Sequence, residues 1–128
     1  MILLVYIREA HPASAGQTAA NAGWKAVGDT VFHQPQTFEE RQTLAETACT
    51  FWDLPIPTLV DAMEPSISGM YRAWPNRLYL LDLQGKIVFR GPEGPQGVNA
   101  HEGEIELRKL LGLDPSAGLV TRPRMRSA

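Results

Sequence analysis

Six consecutive apolar residues, Ile2-Leu3-Leu4-Val5-Tyr6-Ile7, follow Met1 without a polar break. A segment with no face fit for water is the pattern of a strand covered on both sides, as in a parallel sheet flanked by helices. The run is far short of the roughly 20 apolar residues that cross a bilayer. It also lacks the basic start and small-residue cleavage site of a secretory signal, so a cytoplasmic location is expected. The strand ends at Arg8-Glu9-Ala10-His11-Pro12, where the chain turns polar.

The remaining segments alternate. Residues 13–36 are rich in Ala, Gly, Gln and Asn with little period, and read as a long surface loop of the kind that serves functional sites or is mobile. Thr37-Phe38-Glu39-Glu40 has the form of a capping box, with Thr37 closing the amide of Glu40. The helix it opens carries Leu44, Ala48, Phe51 and Trp52 on one stripe. Pro57 to Asp61 reads as a short strand, and Pro65 opens a second helix with Ile67, Met70, Tyr71 and Trp74 on one face. These aromatics and methionines, with Met63, are read as core.

Leu78–Leu81 and Ile87–Phe89 form a hairpin around Asp82-Leu83-Gln84-Gly85, with Gly85 in the left-handed position. Asn99 with Glu102 caps a last helix whose apolar side is Ile105, Leu107, Leu110 and Leu111. The order β-α-β-α-β-β-α places the chain in the α/β class. Residues 1–113 are read as one domain and 114–128 as a basic, disordered tail.

Composition narrows the function. The chain has 128 residues, 44% of them hydrophobic, enough for one core. The net charge is -2, and residues 1–120 hold 9 basic against 14 acidic side chains, so nucleic acid and acidic membranes are not expected partners. Cys49 is the single cysteine, which excludes an internal disulfide, a Cys-x-x-Cys centre and a Cys-rich zinc site. It lies mid-helix and reads as a small buried group rather than a nucleophile. His33 and His101 read as surface residues. His11 stands at the carboxyl end of a strand, where open α/β sheets place their ligands, and Glu9 is two residues away.

Three stretches together resemble the iodothyronine deiodinases and their bacterial relatives. They are Val5-Tyr6-Ile7-Arg8-Glu9-Ala10-His11-Pro12, then Val60-Asp61-Ala62-Met63 with Arg77-Leu78-Tyr79 beyond it, and Val88 to Gly97 with its glycines and prolines. The resemblance implies a thioredoxin-like three-layer α/β/α fold with a mixed sheet, in which Pro75 occupies the place of the proline before the hairpin and is read as cis. It also implies a reductive dehalogenation oxidoreductase that needs no metal or cofactor. Its substrate would be a small halogenated aromatic (a peroxide in the alternative reading), with a thiol reductant. Glu9 and His11 are the catalytic candidates, assisting proton transfer. Histidine titrates near working pH, and a neighbouring carboxylate fixes its tautomer.

Two family positions differ here: a second histidine aligns with Pro35, and an arginine of the glycine loop aligns with Glu93. The family's selenocysteine or cysteine segment, the central strand of the sheet and its helix, has no counterpart in residues 1–128. The expectation is therefore a reading of part of a longer selenoprotein, inactive by itself as a redox enzyme. Without the central strand, two strands would present open edges, each buried unpaired group costing about 1–3 kcal/mol. A homodimer that fills the gap by domain swapping is the rival explanation. The alternatives in function are a peroxiredoxin-like thiol peroxidase and a non-catalytic binding module.

Overall fold

The computed structural model describes residues 1–18, 30–64 and 66–117. Its elements, in chain order, are β1 (Leu4–Tyr6), α1 (Phe38–Phe51), β2 (Thr58–Val60), α2 (Ile67–Tyr71), β3 (Tyr79–Leu81), β4 (Ile87–Arg90) and α3 (Ala100–Leu110). This is the mixed α/β succession that the alternating pattern predicts. The polar tail from residue 118, the middle of the long loop (19–29) and Pro65 lie outside the described residues.

Local signals account for the boundaries. Thr37 caps α1, its hydroxyl accepting from the Glu40 N–H at 3.2 Å. The return bond of the capping box differs from the usual one: the Glu40 carboxylate accepts from the Gln36 N–H at 2.7 Å. Ser66 caps α2 through the Gly69 N–H, and Asn99 caps α3 through the Glu102 N–H. Gly85 has φ +80° in the turn between β3 and β4, a conformation that glycine adopts without steric cost. The Trp74–Pro75 bond is cis, as is Gly94–Pro95.

The strands form two separate pairs. β1 runs parallel to β2, with Leu4 opposite Thr58 and Tyr6 opposite Val60. β3 is antiparallel to β4, with Tyr79 opposite Arg90 and a register shift between Leu80 and Leu81. Where the resemblance implies one mixed sheet, the described residues give two two-stranded ones. α1 packs against β2 and α3 against β3.

This narrowness changes what is buried. Two strands lie about 5 Å apart, less than the roughly 10 Å width of a helix, so a helix face finds little sheet beneath it. Phe51, Trp52, Met70, Tyr71, Trp74 and Leu111 are exposed, against the expectation of an apolar core at those positions. On α1 the buried residues are Arg41 and Ala45, one turn before the apolar stripe read from the sequence.

Among the described residues the most buried large side chain is polar. Asp61, 1% exposed, follows β2 and bonds in three directions. Its N–H donates to the Tyr6 carbonyl at 2.8 Å, continuing the β1–β2 ladder. Its carboxylate accepts from the N–H groups of Ile67 (2.7 Å) and Ser68 (3.0 Å) at the start of α2. Its carbonyl accepts from the buried Arg41 guanidinium at 3.0 Å, and the same nitrogen donates to Ala62 at 2.7 Å. One residue thus joins four elements.

Asp82 offers a control, because its carboxylate also accepts two backbone N–H bonds, from Gln84 and Lys86, but in an exposed turn. Losing a buried acceptor leaves donors that water cannot reach. Asp61→Ala is expected to cost about 2–4 kcal/mol in urea unfolding, and Asp82→Ala about 1 kcal/mol or less. Equal losses would show that the buried aspartate is no more important than an exposed turn.

Candidate active site

The polar end of β1 is held from several sides. The Tyr6 hydroxyl donates to the Glu9 carboxylate, three residues on. The Gln34 side chain pairs with the Glu9 backbone: its Oε1 accepts from the Glu9 N–H at 3.2 Å, and its Nε2 donates to the Glu9 carbonyl at 3.1 Å. A little further on, the Ala13 N–H donates to the Phe32 carbonyl at 2.8 Å, and His33 Nδ1 lies 3.0 Å from the Ala13 carbonyl. Segment 32–34 therefore runs along segment 9–13.

Glu9 is half-buried and His11 is exposed. Burial pushes the Glu9 carboxyl above its ordinary value of 4.5, and the His11 charge draws it back by a lesser amount. The two residues of the sequence-derived pair are thus electrostatically coupled. The contacts to Glu9 come from Tyr6 and Gln34, neither of which motif or spacing marks as functional.

Arg8 links this end of β1 to the second half of the chain, its guanidinium 4.9 Å from the centre of the Trp74 ring. Beyond Trp74, residues 75–77 interlock with the glycine-proline loop. A Cβ on Gly94 would lie 2.4 Å from Pro75 Cδ, and one on Gly97 2.1 Å from the Asn76 carbonyl oxygen. Arg77 donates to the Gly91 carbonyl at 2.8 Å. Glu93, where the resembled family has an arginine, pairs with Arg72 at 2.9 Å and Arg77 at 3.6 Å. Pro35, aligned with that family's second histidine, is buried and offers no titratable group.

A cleft of about 550 Å³ lies elsewhere, between α2 and the hairpin, lined by Met70, Tyr71, Arg72, Tyr79 and Arg90 among others. Neither Glu9 nor His11 reaches it, and its open shape makes it a surface trough. The Cys49 Sγ lies 3.4 Å from the Thr58 hydroxyl, between α1 and β2, and takes no part in the site. Among the described residues no three His, Cys, Asp or Glu side chains converge as a metal site, and no helix is long and apolar enough to cross a membrane.

The arrangement defines a class: a mixed α/β protein in which a half-buried carboxylic acid and an exposed histidine follow the carboxyl end of β1. The family model of the iodothyronine deiodinases matches residues 1–111, and the chain belongs to that family. It is 31% identical over 101 residues to the type I iodothyronine deiodinase of Xenopus laevis, covering 78% of this chain and 36% of that protein. It is 32% identical over 106 residues to the thyroxine 5-deiodinase of Gallus gallus, covering 78% of this chain and 35% of that one. The chain spans about a third of the length of these relatives.

The raised carboxyl has a consequence for stability. Since the folded value lies above the unfolded one, the folded state binds the proton more tightly, and stability falls as pH rises from 4.5 through the folded value. Below 4.5 the penalty is absent. Glu9→Gln retains an acceptor for Tyr6 but carries no charge, so it should raise Tm by about 2 °C at pH 7 and leave it unchanged at pH 4. The same gain at both pH values would contradict a carboxyl raised by burial.

Proposed function

We propose that this chain supplies the proton-handling part of a deiodinase-type reductive dehalogenation, on a thioredoxin-like scaffold. The observation that carries the reading is the half-buried Glu9, bonded by Tyr6 and coupled to His11 at the end of β1. Family membership supports it, as do the parallel first strand pair, the antiparallel hairpin with Pro75 before it, and the closing helix.

In the proposed step a thiolate or selenolate attacks the iodine of an iodinated aromatic. The sulfur–iodine or selenium–iodine bond forms as the carbon–iodine bond breaks, and the electron pair of that bond stays with the ring carbon. His11, as imidazolium, gives that carbon its proton. Glu9 orients the imidazolium and stabilises its charge, then steadies it again when it regains a proton from water. A second thiol reduces the sulfenyl or selenenyl iodide, releases iodide and leaves a disulfide or a selenenyl sulfide. Cys49 is not assigned the nucleophile; its place between α1 and β2 argues against it.

The test supplies the nucleophile from outside. The 128-residue chain is incubated with 3,5-diiodotyrosine, a small alkyl selenol and dithiothreitol, and iodide release is followed. The chain should accelerate release at least about tenfold over the selenol alone, and His11→Ala should remove that acceleration, in keeping with the 10²–10⁴-fold reach of general acids. Acceleration of hydrogen peroxide reduction instead would favour a thiol-peroxidase reading. No acceleration of either reaction would favour a binding module and sink the dehalogenation proposal.

A further inference from the structure

β2 ends where Asp61 donates its N–H to the Tyr6 carbonyl, and past that point β1 has no strand neighbour among the described residues. Glu9 lies three residues further along, and its backbone is nevertheless paired. Both its N–H and its C=O bond to one side-chain amide, that of Gln34, at 3.2 and 3.1 Å. A primary amide presents a donor and an acceptor side by side, so it can bracket a residue's backbone much as an adjacent strand would. We propose that Gln34 is the positioning residue of this site, holding Glu9 at the depth and orientation in which its carboxylate meets Tyr6 and His11. The inference rests on the proposed proton-transfer role of Glu9 and adds the group that places it.

Gln34 is itself fixed. Its carbonyl accepts from the Gln36 side-chain amide at 3.0 Å, Pro35 beside it is buried, and the Ala13–Phe32 bond closes the same pair of segments on the other side. The Gln36 N–H is in turn held by Glu40 in the first turn of α1. The chain of contacts thus runs from the capped start of α1, through 34–36, to the backbone of Glu9. The groups with titratable protons around the Glu9 carboxyl are Tyr6 on its own strand and His11 just past it. From the facing segment, His33 lies against the Ala13 carbonyl, and Gln34 brings no charge. An amide is therefore suited to the place, because it grips the backbone without adding a charge beside an acid whose proton affinity matters.

The experiment is NMR on the full chain, comparing wild type with Gln34→Met, which keeps the bulk and loses both hydrogen bonds. Two quantities are read: hydrogen exchange of the Glu9 amide and the titration midpoint of the Glu9 side-chain carboxyl. Exchange should quicken about tenfold or more as the bracket is lost. The midpoint should fall toward 4.5 as the carboxyl gains solvent, a change that general loosening of a distant loop does not produce. Gln42→Ala, on the exposed face of α1, should change neither. If the methionine variant loses its dispersed spectrum, Gln34→Asn, one methylene too short to reach, is the second variant, with the same two changes expected. Either variant folding with both readouts unmoved overturns the proposal. Both readouts moving while the wild-type chain releases no iodide would sustain the placement by Gln34 and overturn the dehalogenation reading alone.

Discussion

The structure depends on the set of hydrogen bonds around Asp61. Its backbone N–H closes onto β1, its carbonyl takes the guanidinium of α1, and its carboxylate caps the entry to α2. A charged side chain at 1% exposure is tolerable only when its oxygens are occupied, and here two backbone N–H groups occupy them. Arg41 is buried beside it, one terminal nitrogen donating to two carbonyl oxygens while its Nε has no hydrogen-bond partner among the described residues. Here Ala45 is the one buried hydrophobic residue among those described, so the polar cluster does much of the work of fixing how the helices and strands meet.

The candidate site follows from this. Asp61 bonds to Tyr6, the last residue of β1, and so fixes where the strand stops pairing with β2. From that point the chain is free to turn, and Glu9 is reached by a tyrosine from one side and an amide from the other. Arg8, between them, faces the Trp74 ring and ties the end of β1 to the segment where the hairpin begins. Protonation of Glu9 is then governed by how deeply it is held. Burial destabilises its charged form at neutral pH, and the His11 charge offsets part of that cost.

Much of this was legible in the sequence. The apolar run marked β1, the S/T-x-x-E pattern marked Thr37, Asn99 with Glu102 marked α3, and Gly85 marked the hairpin turn, because each signal acts over a few residues. The E-A-H element after β1 made Glu9 and His11 the catalytic candidates, and the structure places Glu9 half-buried and His11 exposed in the segment that follows Tyr6. What the sequence did not show depends on distant contacts. Gln34 is a neutral amide in a loop, without period or charge, and nothing local distinguishes it from Gln36. Burial of Arg41 and Asp61 was hidden for a different reason: charged residues are usually surface residues, and only the fold reveals the carbonyls and N–H groups that meet them. The exposure of Met70, Tyr71 and Trp74 reverses a reading of helical periodicity, since an apolar stripe predicts a buried face only if enough sheet lies beneath it.

The central claim is that Glu9 and His11 form one coupled proton site rather than two neighbouring surface groups. It is tested most directly by titrating the Glu9 carboxyl by NMR in the wild-type chain and in His11→Ala. The account predicts a wild-type midpoint above 4.5 and a further rise in the variant, because the imidazolium that lowers it has been removed. A midpoint at the ordinary value, or one that His11→Ala leaves in place, would contradict it.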